Sequence, residues 1–338
     1  MISVGIIGAS GYTGKYLIKF LNDHSNVREL YLYANKSAGR NLLDIFPEFT
    51  NNVNDRVINS VNQIEKTHDV YFFALPHGKS IQYAPELLNS NKKVIDLGAD
   101  FRLDDAKSFA ETYQMEHTAT EFLSSKIYGL SEFHDNYNGT DLIANPGCYP
   151  TAALLSTIPF AKNISKNIET ISTVSYSGLS GAGKKADTSL LFSENYNSVK
   201  AYNVGTHRHQ VEITQELNKF IDNVNYSLAT HLLPVVSGIY STSIIHLNDS
   251  IKQSQVDEIL ESEYSGSAFI RIRKTPPELK WVVGTNYCDI NVKALDNKII
   301  VTACIDNLIK GASGQAVQNM NKLYGWEENL GIQKNLTE

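Results

Sequence analysis

Cysteine is scarce in this chain. Its 338 residues include three, Cys148, Cys288 and Cys304, too few and too scattered for a disulfide framework or a thiolate metal site. Long apolar runs are also missing. The longest, such as Val70 to Leu75, fall far short of the ~18 residues needed to cross a bilayer and fit buried strands instead. The first residues, Met1-Ile2-Ser3-Val4-Gly5-Ile6-Ile7-Gly8, lack the basic region and small-residue cleavage site of a secretory leader. There is no excess of positive charge: 30 Lys and Arg against 36 Asp and Glu give −6, with no basic stripe. Nucleic acid and anionic membrane are therefore not expected partners. Repeats, low-complexity tracts and linkers are absent too. What is present, 42% hydrophobic and 20% charged residues, excludes a disordered chain. The length, at ~150 residues per domain, suggests two domains of a cytoplasmic protein.

The first part of the chain alternates short β-rich runs with helical patterns. Ile2–Ile7, Glu29–Tyr33, Asp69–Leu75, Lys93–Leu97 and Asp141–Ala144 read as strands buried on both faces. A helix is expected over Gly14–Asn22. The alternation predicts an α/β fold with a Rossmann-type doubly wound parallel sheet over residues 1–147. After Cys148 the texture changes. A helix over Thr151–Lys162 precedes the β segments Ile168–Tyr176, Ile239–Leu247, Ala268–Arg273, Tyr287–Leu295 and Lys298–Ile305. Successive strands predict an α+β domain over 148–308 with a mixed or antiparallel sheet. The pattern from Asp306 to about Tyr324 carries an apolar stripe at helical spacing, so residues 309–338 form a C-terminal helical segment.

Gly8-Ala9-Ser10-Gly11-Tyr12-Thr13-Gly14 follows the first strand and opens the first helix. Glycines let the backbone turn sharply and approach a pyrophosphate, and the helix start offers N–H groups and a favourable dipole. Gly8, Ser10, Gly11, Tyr12, Thr13 and Gly14 are the expected cofactor contacts. After the second strand, Asn35-Lys36-Ser37-Ala38-Gly39-Arg40 has no acid for a ribose 2′-hydroxyl. Lys36, Ser37 and Arg40 suit a 2′-phosphate, hence NADP(H). Leu75-Pro76-His77-Gly78-Lys79-Ser80 follows the strand containing Val70, which adds Pro76 and His77 to the cofactor set.

Asn145-Pro146-Gly147-Cys148-Tyr149-Pro150-Thr151 lies between a strand and a helix. Pro150 suits a first helical turn. Cys148 then meets the helix dipole, which stabilises a thiolate, and nearby amides can hold an oxyanion. Cys288 and Cys304 sit in strand patterns and read as core. A cysteine nucleophile needs a proton-transfer partner, and His207-Arg208-His209-Gln210-Val211-Glu212 supplies one. His209 and Glu212 share a helix face if that helix begins early, so the carboxylate can orient the imidazole. Arg208 can hold a phosphate or carboxylate, with His207 and Asn145 beside the same substrate. No third ligand accompanies the two histidines at a metal-site spacing. Ser177-Gly178-Leu179-Ser180-Gly181-Ala182-Gly183-Lys184-Lys185 departs from the triphosphate-loop form. It offers Ser180 and Gly181 to the cofactor and Ser177 and Lys184 to the substrate.

With these residues assembled, the chain resembles the N-acetyl-γ-glutamyl-phosphate reductase family, relatives of aspartate-semialdehyde dehydrogenase. The resemblance runs through Gly8–Gly14, Leu75–Ser80, Asp96–Arg102, Tyr128–Glu132, Asn145–Thr151, Ser177–Gly183, His207–Ile213, Gly284–Asp289 and Asp306–Asn321. It implies reduction of an acyl phosphate to an aldehyde in arginine biosynthesis, through a thioester on Cys148. It also implies His209 as acid/base, a homo-oligomer (dimer or tetramer), and a C-terminal helix packed on the first domain. Three positions depart from the family pattern. Ser237 stands where arginine is usual, which predicts an altered acyl pocket. Ser131 and Gln210 stand where proline is usual, which predicts looser loops. Alternatives left open are reduction of an N-succinylglutamyl, aspartyl or carrier-bound aminoadipyl phosphate, and a dinucleotide-binding redox sensor.

Overall fold

The computed structural model describes residues 1–134, 136–184 and 187–332. The chain divides into two compact units. Among the described residues, the first takes Met1–Pro146 and residues 312–332; the second takes Gly147–Gly311.

In the first unit, β1 (Ile2–Ile7), β2 (Val27–Ala34), β3 (Asn59–Ser60), β4 (Val70–Phe73), β5 (Lys93–Asp96), β6 (Ile127–Tyr128) and β7 (Leu142–Ala144) form one sheet. Its order is β3-β2-β1-β4-β5-β7-β6, and all pairs are parallel. The four residues of β4 are all buried, as a strand covered on both faces requires. Tyr71 and Phe73 join Ile81, Ala84 and Leu87 of the helix Ser80–Leu88 in one cluster. The chain runs β1 to β2 in one direction and returns to β4 on the other side of β1. That switch point opens a crevice between the loops after β1 and β4. The helix Gly314–Leu323 packs against Tyr12–Asn22 and β5. His24 Nε2 and Asn321 Oδ1 meet at 2.9 Å beneath it.

The second unit is built on β8 (Ile168–Ser177), β9 (Lys200–Tyr202), β10 (Tyr226–Leu232), β11 (Ile239–Leu247), β12 (Ile270–Ile272), β13 (Cys288–Leu295) and β14 (Lys298–Ile305), in the order β12-β13-β14-β11-β8-β10-β9. The sheet is mixed: β8 with β10 and β12 with β13 are parallel, the rest antiparallel. Against it lies the helix Cys148–Ile164, apolar all round and buried along almost its whole length. The helix begins three residues before the sequence reading placed it. Pro150 does not delay it, because first-turn amides have no acceptor within the helix and a missing N–H there costs little.

Ser131 and Gln210 both make hydrogen bonds where proline is usual. The Ser131 hydroxyl accepts a bond from Gln315 Nε2 at 2.9 Å. Gln210 Oε1 accepts the Leu228 N–H at 3.1 Å, and the Gln210 N–H donates to the His207 carbonyl at 2.9 Å. A proline could make none of these bonds.

Candidate active site

The loop after β1 is shaped for close approach. Gly8 has φ +93°, and a Cβ there would lie 2.2 Å from the Ala74 carbonyl oxygen at the end of β4. A Cβ on Gly14 would lie 2.5 Å from the Gly8 carbonyl oxygen. Both glycines are therefore dictated by internal packing. Gly11 is different: its nearest obstacle is 3.4 Å away, yet it caps the helix Tyr12–Asn22 with no side-chain cap. A side chain is missing where it would cover the helix's first amides, which fits a phosphate-bearing group approaching the backbone. Ser10 and Thr13 are half-buried in the same loop and Tyr12 is exposed. Gly8 and Ala9 N–H groups both donate to the Tyr33 carbonyl, at 2.8 and 3.0 Å, fixing the loop to the end of β2. Lys36 and Arg40 are exposed and Ser37 half-buried just beyond that strand, and Arg40 Nη2 donates to the Asp44 carbonyl at 3.1 Å. Pro76 and His77 are exposed after β4. Asn145, fully buried in this unit, donates to the Ala312 carbonyl at 3.2 Å and accepts from Asn319 Nδ2 at 3.0 Å.

In the second unit, Cys148 is the first residue of its helix and is partly exposed, whereas Cys288 and Cys304 are fully buried. Burial, then Asp289, pushes the Cys304 thiol up, away from reactivity. Glu212 is buried and its Oε1 accepts the Gly147 N–H at 2.8 Å. That carboxylate therefore braces the residue before Cys148. His209 begins the helix His209–Leu217, so His209 and Glu212 do stand one turn apart near its start. His207 and His209 rings meet edge to face with centroids 4.8 Å apart. Tyr149, the neighbour of Cys148, touches both, at 5.3 and 5.9 Å. Burial, then Arg208, lowers the His207 pKa to about 4, so that ring is neutral near pH 7. Its Nδ1 accepts the His209 N–H at 3.2 Å, leaving the proton on Nε2. Arg208 between them is exposed.

Sequence reasoning missed the tyrosine pair. The Tyr149 and Tyr202 hydroxyls are 2.7 Å apart, and burial raises both pKa values, that of Tyr202 to about 12. Tyr149 stands in a motif already singled out, but nothing near Tyr202 in sequence marks it. The glycine-rich loop is docked on the stretch before β11: Gly178, Leu179 and Ser180 N–H groups donate to the Gly238, Val235 and Val236 carbonyls at 2.9, 2.9 and 3.0 Å. Ser177 ends β8 with its hydroxyl on the Gly178 carbonyl at 3.0 Å, and Gly181 lies over it. Ser180 accepts from Asn307 Nδ2 at 3.1 Å and faces Ser237 at 3.5 Å. Lys184 is exposed at the loop's end; Lys185 lies outside the described residues. Among the described residues no cluster of three or more acids, histidines and cysteines could hold a metal, and no helix is long and apolar enough to cross a membrane.

Family models described as semialdehyde dehydrogenase, NAD binding domain, and semialdehyde dehydrogenase, dimerisation domain, match residues 3–139 and 148–307. The N-acetyl-gamma-glutamyl-phosphate reductase of Clostridium novyi (strain NT) is 39% identical over 338 residues, covering 98% of each chain. That of Pelotomaculum thermopropionicum is 40% identical, covering 98% of this chain and 97% of that one. The chain belongs to the N-acetyl-γ-glutamyl-phosphate reductase family. The fold is also that of aspartate semialdehyde dehydrogenase II from Vibrio cholerae, with TM-score 0.75, 19% identity and coverage of 96% of this chain and 98% of that one. Family membership makes the chain an oxidoreductase that uses a nicotinamide dinucleotide.

One further reductase feature is set by packing against the cysteine. The five-residue π-turn Ile309–Ser313, whose Gly311 N–H reaches back to the Asp306 carbonyl at 2.9 Å, lays Gly311 on Cys148. A Cβ on Gly311 would stand 2.8 Å from Cys148 Cβ and 3.2 Å from its Cα. Gly311→Ala must therefore displace the cysteine. It is expected to slow both turnover and iodoacetamide labelling of Cys148 by about tenfold to a hundredfold, with the dichroism spectrum unchanged.

Proposed function

We propose that this chain reduces N-acetyl-γ-glutamyl phosphate to N-acetylglutamate semialdehyde, with NADPH as reductant and Cys148 as nucleophile, in the cytoplasm and as a homo-oligomer. One observation carries the reading. The only partly exposed cysteine among the three opens a buried helix, in the same unit as His209 and braced through Gly147 by Glu212.

The helix dipole favours the Cys148 thiolate. Sγ attacks the γ-carbonyl carbon, first-turn amides hold the resulting oxyanion, and the bond to the phosphate oxygen breaks to give a thioester and phosphate. A nicotinamide dinucleotide, when bound, would supply hydride for reduction of the thioester. His209 takes the proton from Cys148 before attack, returns it to the carbonyl oxygen once that carbon has been reduced, and takes it back as the carbon–sulfur bond breaks and Cys148 leaves as thiolate. Neutral His207, with its Nδ1 on the His209 backbone N–H and its ring edge to face with that of His209, does not compete for the proton. Arg208 and Lys184 would offer positive charge to phosphate or carboxylate groups, and Ser177 a hydroxyl. Gly8–Gly14, Pro76 and His77 would hold the dinucleotide.

The test is the phosphate-dependent reverse reaction, followed by absorbance of the reduced nicotinamide, with N-acetylglutamate semialdehyde and NADP⁺. Activity with the N-acetyl substrate, above that with N-succinyl or aspartate semialdehydes, is expected. Reversal of that order would move the assignment to another acyl phosphate. Cofactor choice has its own measurement. Arg40→Ala should weaken NADP binding by ~1–3 kcal/mol, the scale of hydrogen bonds to charged groups, and leave NAD binding nearly unchanged. Equal losses for both would remove the 2′-phosphate from this loop.

A further inference from the structure

Asp96 ends β5 and is fully buried. Its Oδ1 accepts the Ser80 hydroxyl at 2.6 Å and the Gly98 N–H at 2.9 Å. Its Oδ2 is equally inaccessible and has no hydrogen-bond partner. Asp100, also fully buried, accepts the Gly78 N–H at Oδ1 (2.6 Å) and the Ile81 N–H at Oδ2 (3.2 Å). The two side chains together clamp Gly78–Ile81, the stretch that ends the Pro76–His77 turn and starts the helix Ser80–Leu88. An ionised carboxylate is a poor occupant of the Asp96 site. One oxygen would have no donor, and a second acid is packed into the same dry turn. A carboxylic acid carries its own proton on the oxygen that lacks a donor.

We propose that Asp96 is a positioning residue that works as a neutral acid: protonated, it stands beside Asp100 without repulsion, and the pair holds Pro76 and His77 at the dinucleotide crevice. Ionisation of Asp96 loosens the turn and lowers dinucleotide affinity. The inference rests on the assignment of Pro76 and His77 to the cofactor.

The surroundings agree. Burial, then the Asp100 carboxylate, holds the Asp96 carboxyl up at about 7, against the smaller opposing effects of Ser80, Gly98 and Arg102. Arg102 is the facing cation, and its guanidinium is shared with the Asn145 and Leu97 carbonyls at 2.9 and 2.8 Å. His117 is the facing imidazole. Its Nε2 meets the Asp100 carbonyl at 2.8 Å, and burial lowers its pKa, keeping it neutral. A folded pKa above the unfolded one means that Asp96 stabilises the fold most in acid and loses that contribution as pH rises towards about 7.

The experiment titrates NADPH affinity by nicotinamide fluorescence between about pH 7 and pH 9, where the 2′-phosphate no longer changes charge, on wild type and Asp96→Asn. Asparagine keeps an acceptor for Ser80 and Gly98 and cannot ionise. Wild type should lose affinity about tenfold over that interval, and Asp96→Asn no more than about twofold. Melting temperatures followed from about pH 5 to pH 8 should fall in wild type relative to the variant over the same rise. Ser80→Ala, which removes a donor to the charged form, should shift the wild-type affinity decline to higher pH, and serves if Asp96→Asn fails to fold. The same pH slope in wild type and Asp96→Asn overturns the inference while the cofactor site stands. No NADPH binding at any pH overturns the cofactor assignment and the inference together.

Discussion

Cys148→Ser is expected to bind NADPH as wild type does and to show no measurable turnover. A serine hydroxyl at neutral pH supplies almost no alkoxide, whereas a thiol meeting a helix dipole supplies thiolate readily. The change is otherwise small: the residue opens the helix, Gly147 remains bonded to Glu212, and the contact with Gly311 is made through carbon atoms that serine keeps. Loss of activity would therefore report chemistry and not collapse of the unit. Iodoacetamide should modify Cys148 first in wild type, because Cys288 and Cys304 have no accessible surface. Activity that disappears in step with labelling of Cys288 or Cys304 would show that the nucleophile lies elsewhere.

His209→Asn should slow turnover by ~10²–10⁴, the range for lost acid/base help, while Cys148 can still be alkylated. The structure adds a control. His207 lies in the same ring cluster, but burial holds its pKa near 4, so it cannot be the group that titrates near neutrality. The pH dependence of kcat/KM near neutrality should therefore vanish in His209→Asn and persist in His207→Asn. An unchanged pH profile in the first variant would transfer the proton-transfer role away from His209.

The sequence was most legible where one physical signal dominated. β1, β11 and β14 have the bounds of the patterns Ile2–Ile7, Ile239–Leu247 and Lys298–Ile305. The first is a nearly continuous apolar run, β11 buries every second residue, and β14 buries Ile299, Val301 and Ala303 at period two. β10 escaped the sequence reading; its inward face carries Tyr226, Leu228 and Leu232 with a fully buried Thr230. The cysteine helix starts at Cys148, three residues before the expected Thr151, with Pro150 in its first turn. The helix Gln253–Glu263 buries few of its residues, chiefly Val256 and Leu260, too few to stand out as a stripe.

Composition and local pattern by themselves determined the α/β half, the α+β half, the glycine loop after β1 and the placing of Cys148 near a helix start with the other two cysteines in strands. Each depends on neighbours along the chain: periodicity, a turn, a helix start. Tertiary structure alone decided that Glu212 braces Gly147, that Tyr202 meets Tyr149, that Gly311 presses on Cys148, and that Asp96 and Asp100 share one turn. These contacts join residues far apart in sequence, except the two aspartates. Even there, four residues of separation say nothing about burial. Their energetics depend on the water excluded and on donors supplied from elsewhere, and neither is present until the chain has folded.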